Sequence, residues 1–198
     1  MSDNTLKFSW IVLLKENLDA QRPDFVAGDL LWYPVEGRPT ERLAPDVLVA
    51  IGRPKGYRGS YKQWVEGIPP TVVIEVLSPG NTMREMMRKA TFYERHGVRE
   101  FIVIDPEKGT GWAYIYEGGM LAEEVASLGG WTSPALGITF VGESEQLRVI
   151  GPDGKPFETL GEVKERANLE AERANLEAER AARLAEKLRA LGIDPDAP

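Results

Sequence analysis

An α/β core followed by a separate long helix is the fold class this sequence predicts, on three observations. Two continuous apolar runs, Val47-Leu48-Val49-Ala50-Ile51 and Thr71 to Leu77, have the composition of strands buried on both faces. The second run leads into a helix signature and then a third apolar run, Phe101 to Ile104, so strand, helix and strand follow one another, and a right-handed crossover within one sheet is expected. From Glu158 to Leu191 the composition changes to Ala, Leu, Glu and Arg, and Arg166 to Glu172 repeats letter for letter as Arg173 to Glu179, which is the pattern of a long helix.

Phe8 to Ala20 reads as an amphipathic helix, and Phe25 to Val35 as a strand pair or one long strand. Pro45-Asp46 opens the first central strand, and Gly52 closes it. The second central strand is bounded by Pro69-Pro70 and Ser78-Pro79-Gly80. Thr82-Met83-Arg84-Glu85 matches a capping box, so a helix should run from there to about His96, with Gly97 as its left-handed cap. Trp112 to Tyr116, Met120 to Val125, Ile138 to Val141 and Leu147 to Ile150 read as shorter strands between glycine turns. The expected organisation is a domain over 1–157, a helix over 158–192 able to form a coiled coil, and a tail over 193–198.

Composition narrows the chemistry. With 198 residues, 42% of them hydrophobic, the chain has room for one substantial core. It has no cysteine and a single histidine, which excludes disulfides, thiolate nucleophiles and thiolate or histidine-rich metal sites, and leaves oxygen ligands for hard cations. The apolar run Phe8 to Leu14 is too short to span a bilayer and lacks the flanks of a signal peptide, so no membrane partner and a cytoplasmic location are expected. A net charge of -7 argues against a general nucleic-acid coat protein, because phosphate binding is largely electrostatic; any basic surface must be local.

Asp46 at the mouth of the first central strand and Glu75 inside the second are carboxylates in otherwise apolar runs. A charge in such a place costs several kcal/mol unless it is paired or metal-bound. Two carboxylates converging from neighbouring strands can hold a magnesium ion, which keeps waters for a phosphate and a nucleophile. Arg53-Pro-Lys55-Gly-Tyr-Arg58-Gly-Ser-Tyr-Lys62 places four basic residues and interleaved aromatics after the Asp46 strand, a composition suited to nucleic-acid contact. His96 reads as a helix-terminal residue favoured by the dipole, and Trp10, Trp32, Trp112 and Trp131 as core.

Taken in order, Pro45-Asp46 before an apolar strand, Ile74-Glu75-Val76-Leu77-Ser78-Pro79-Gly80-Asn81, then Arg88-Lys89-Ala90-Thr91-Phe92-Tyr93-Glu94-Arg95-His96-Gly97-Val98, then Glu100 to Pro106 resemble the Uma-two family of restriction endonucleases, closely over 45–106. That family is similar to the PD-(D/E)XK nucleases. The resemblance implies a restriction-endonuclease-like mixed sheet flanked by helices, a DNA substrate and a Mg2+ or Mn2+ cofactor. It also implies Asp46 and Glu75 as metal ligands, with the Val76 carbonyl as a third. The sequence departs from the general pattern at Leu77, where a lysine should stand on the Glu75 face. The resemblance moves that lysine to the following helix, at Lys89. Relatives also carry an acidic residue upstream, for which Asp29 and Glu16 are the candidates.

The alanine stripe of the repeat, Leu160, Ala167, Ala171, Ala174, Ala178, Ala181, Ala185 and Leu188, permits a homodimer or higher oligomer. A solvated single helix held by i,i+4 charge pairs is the other reading. The alternative to a nuclease is a catalytically inactive nuclease-fold protein that binds DNA or a protein partner through its coiled coil.

Overall fold

The computed structural model describes residues 5–142 and 147–191, and the chain divides into two compact units after Phe157. The 193–198 tail lies outside the described residues. The first unit runs through α1 (Thr5–Gln21), β1 (Asp24–Gly28), β2 (Trp32–Tyr33), β3 (Val47–Pro54), β4 (Tyr61–Lys62), α2 (Gln63–Glu66), β5 (Val72–Val76) and α3 (Met83–Arg95). It continues through β6 (Glu100–Asp105), β7 (Thr110–Glu117), β8 (Met120–Val125), β9 (Thr139–Val141) and β10 (Arg148–Ile150). The second unit is α4 (Leu160–Ala190).

A six-stranded mixed sheet in the order β1-β3-β5-β6-β7-β8 centres the first unit. β5 and β6 are parallel and joined through α3, and the other neighbours are antiparallel. The apolar runs are continuous because both faces are covered. Val72, Ile74 and Val76 cluster with Leu14 and Leu18 of α1, while Val73 and Val103 cluster with Met86 and Tyr93 of α3. Each such side chain, fully buried, contributes about 1.5–3 kcal/mol. At the far edge β8 is exposed over Met120–Glu124 and has no further strand beside it among the described residues.

Three local expectations need correction. Phe25 to Val35 is not one long strand but holds β1 and β2, and the two do not pair with each other, because Asp29 adopts a left-handed φ of 48° that turns the chain out of the six-stranded sheet. β2 then pairs in parallel with β4. The Thr82 box is half made: Thr82 Oγ1 accepts from the Glu85 N–H at 3.2 Å, but the Glu85 carboxylate accepts from Asn81 Nδ2. A complete box, unread in the sequence, joins Thr159 and Glu162 at the start of α4. Of the four tryptophans expected in the core, Trp32 is fully buried, whereas Trp10, Trp112 and Trp131 are half-buried at the margins of the clusters, where a large ring caps the core with one edge wet.

α4 buries no residue, with Leu169 and Leu176 about half exposed. Arg166 pairs with Glu158 at 2.9 Å and with Glu170 at 3.5 Å. No described helix is long and apolar enough to cross a membrane.

Candidate active site

β3 and β5 run antiparallel with Val47 opposite Ile74, so the start of β3 and the end of β5 meet at one end of the sheet. Asp46, immediately before β3, therefore lies level with Glu75 and Val76. Its Oδ2 accepts from the Val76 N–H at 2.7 Å. Its Oδ1 lies 3.0 Å from Lys7 Nζ, reaching in from α1, and both residues are buried.

Glu75 points to the α3 face and is 1% exposed. Its Oε2 accepts from Lys89 Nζ at 2.9 Å and its Oε1 from the Tyr93 hydroxyl at 2.5 Å. Lys89 and Tyr93 are one helical turn apart, so α3 presents both donors to one carboxylate. The Tyr93 ring is fixed by Trp32, stacked at 6.0 Å, and by Phe101, edge-on at 4.9 Å. Burial pushes the Glu75 carboxyl up to about 7; Lys89 opposes that rise and the Asp46 charge adds to it. Burial, and then Glu75, hold the Tyr93 hydroxyl well above its ordinary range.

The donor set suits a hard divalent cation: two carboxylates with oxygen lone pairs to spare, no sulfur and no imidazole. A third acidic ligand does not come from the candidates. Asp29 is exposed and meets Asp46 through its own N–H to the Asp46 carbonyl, and Glu16 pairs with Lys15. No group of three or more metal-ligating side chains gathers among the described residues. Magnesium accepts so small a set because it retains its waters. The contact between Val76 and Asp46 is made by the Val76 amide rather than its carbonyl.

Leu77 packs against the α3-side cluster, and its N–H donates to the Ile104 carbonyl. Where a lysine would stand on the strand there is an apolar side chain, and the ammonium arrives from α3 instead. The basic segment is positioned differently from what its place after Asp46 suggested. β3 runs away from the site, but a bulge over 51–53, with Gly52 at φ 86°, shortens its course: Val47 lies opposite Gly28 and Pro54 opposite Asp24, about 13 Å along β1, so Arg53 stands towards the far end of β3 from Asp46. Arg58 is an internal strut: its guanidinium bonds both Glu66 oxygens, at 2.6 and 3.1 Å, and sits 3.9 Å from the Phe25 ring centre. Lys55 pairs with Asp19 at 3.2 Å, and Lys62 is exposed. His96 caps the end of α3, 3.1 Å from Glu41, away from the carboxylate pair.

Sequence reasoning missed Lys7 and Tyr93. Lys7, Ile11, Leu14 and Leu18 follow the i, i+4, i+7, i+11 spacing of one helix face, so a lysine in the inward stripe was the available signal. For Tyr93, the signal was its i+4 spacing from Lys89.

A mixed sheet carrying two carboxylates and a helix-borne lysine at one end defines a restriction-endonuclease-like class of protein. Residues 5–140 match the Uma2 family, described as "Putative restriction endonuclease", and the chain belongs to that family. Among solved structures, it is similar to one described as a "putative nuclease belonging to DUF820" from Anabaena variabilis, at 17% identity over 65% of this chain and 69% of that one, with a TM-score of 0.45. No curated protein matches the chain.

Proposed function

We propose that the chain is a divalent-metal-dependent endonuclease that hydrolyses phosphodiester bonds in DNA. In this reading Asp46, Glu75 and the Val76 carbonyl hold the ion, and Lys89 serves the reacting phosphate. The observation that carries it is the Lys89 ammonium 2.9 Å from Glu75 Oε2. That contact supports a lysine displaced from the strand to α3 while still beside the acidic ligand. Magnesium or manganese, when bound, would polarise a phosphoryl oxygen and acidify the attacking water. Lys89 would donate to that water or to the phosphate as negative charge develops. Tyr93 holds Glu75 in orientation, and the Val76 amide does the same for Asp46. Arg53, Lys55 and Lys62 would meet the backbone away from the scissile phosphate, since Arg53 stands towards the far end of β3 from Asp46. The α4 stripe would pair with a second copy.

The test is cleavage of duplex DNA by the full chain in magnesium or manganese and in chelator. Ion-dependent nicking lost in both Asp46→Asn and Glu75→Gln is the expected result. Ion-independent cleavage, or cleavage indifferent to both substitutions, would discard the proposed site. No cleavage with any duplex, together with DNA binding, would leave the inactive binding module as the better reading.

A further inference from the structure

We propose that Lys7 of α1 is a second lysine of the active centre: it holds Asp46 while the ion is absent, gives way to the ion, and then donates to a non-bridging oxygen of the scissile phosphate. This rests on the nuclease reading above and assigns a function to a residue outside it.

Lys7 is 7% exposed, and its ammonium is 3.0 Å from Asp46 Oδ1. It lies in the first turn of α1, where the helix dipole opposes a cation, and α1 has no acidic residue in that turn. Its place in the stripe with Leu14 and Leu18 aims it inward, at a position where an apolar residue would pack without a charge to satisfy. The ion pair with Asp46 offsets the cost of burying the ammonium there, and Oδ1 is thereby occupied on the side facing α1.

Charge decides the rest. Asp46 and Glu75 are matched by Lys7 and Lys89, so with all four ionised the centre sums to zero. A divalent ion raises the sum to +2, which a phosphodiester of charge -1 leaves unbalanced and the dianionic phosphorane, formed as the attacking water gives its proton to bulk solvent, balances. The unit charge appears only in the transition state, where its neutralisation accelerates the reaction rather than merely tightening binding. An ion at about 2.1 Å from Asp46 and an ammonium on the same carboxylate repel each other, so Lys7 must yield. The phosphate beside the ion is the anion within reach of its flexible stem.

Calorimetric titration of the full chain with Mn2+ alone, without DNA, tests this. Lys7→Met removes the competing charge and keeps the stem, so Mn2+ should bind about tenfold tighter than to wild type. Lys7→Arg offers Asp46 a bidentate partner, so Mn2+ should bind more weakly. At saturating ion, cleavage by Lys7→Met should nonetheless fall about 100-fold, in kcat rather than KM. A purely structural lysine moves neither constant in these opposed directions. Either variant suffices if the other does not fold, as judged by circular dichroism. Unchanged or weaker binding in Lys7→Met, or unchanged binding in Lys7→Arg, overturns the inference while wild-type binding lost in Asp46→Asn keeps the nuclease reading. Wild type that binds no Mn2+ and cleaves no DNA overturns both.

Discussion

Glu75 and Glu100 are carboxylates in adjacent parallel strands, 1% and 2% exposed, and burial pushes both above their ordinary range. Their partners differ in kind. Glu100 is held by neutral donors from the loop before β9: the Ser133 hydroxyl, and the Ala135 N–H at 2.5 Å, with Ser133 Oγ itself accepting from the Leu136 N–H. Glu75 is held by a charged amine and a phenol on side chains of α3. Backbone donors tie a loop to a strand and cannot be re-aimed, whereas a lysine can exchange its carboxylate for a phosphate. If Glu75 is the ligand proposed above, deep burial and a raised pKa do not separate a site from a strut; the chemistry and freedom of the donors do.

The largest effect that sharpens this contrast is on catalysis. Lys89→Met should lower ion-dependent DNA cleavage by about 10²–10³ while the protein stays folded, because Glu75 can take up a proton once its counter-charge is gone. Glu100→Gln should leave cleavage within a few-fold of wild type. Equal losses in the two variants would erase the distinction. Cleavage should also rise with pH through about 7, as Glu75 ionises.

Stability should show the reverse order of importance. Ser133→Ala leaves the buried Glu100 short of a donor and should cost about 1–3 kcal/mol in urea unfolding, with cleavage retained. A silent Ser133→Ala would mean that the loop is held by packing alone.

A smaller effect comes from pH. Glu100 has a folded pKa above its unfolded value, so the native state holds its proton more tightly. The associated stability is complete below about 4.5, the ordinary glutamate value, and is lost as pH rises through the folded value. The melting midpoint of wild type should fall between mildly acidic and mildly basic pH, and Glu100→Gln should flatten part of that fall. A midpoint that climbs over the same range would reverse the assignment.

The smallest effect expected is from removing α4. A chain ending at Phe157 should melt cooperatively within a few degrees of the full chain, since α4 buries no side chain. Sedimentation of the two forms tests pairing through the alanine stripe, which predicts a larger species only when α4 is present.

The central strands and α3 were legible because burial on both faces leaves an unbroken apolar run, and polar intruders such as Asp46 and Glu75 stand out against it. Lys89 was legible only through the family's ordered motifs. Lys7 escaped because the first helix was read from Phe8, which is 65% exposed, while the lysine one residue earlier turns inward. The Glu100 strut was not legible, since its donors come from residues 33–35 positions away and one is a backbone amide, which carries no side-chain signature. The distance of the basic segment from Asp46 follows from strand direction alone: consecutive along β3 means opposite ends of the sheet.

The exposed margin at β8 bears on a hazard separate from stability and catalysis. A sheet edge with no further strand beside it among the described residues offers outward amides and carbonyls on which another chain can template itself; on β8 the Leu121 N–H is already taken by Glu94 Oε1 at 3.1 Å, while the exposed Met120 and Leu121 side chains would add apolar adhesion to such a contact. Glu123 and Glu124, both exposed in the middle of that strand, bring like charges together when two copies meet edge to edge. The pair would thus act as a gatekeeper for solubility at an edge beside which no further strand lies among the described residues.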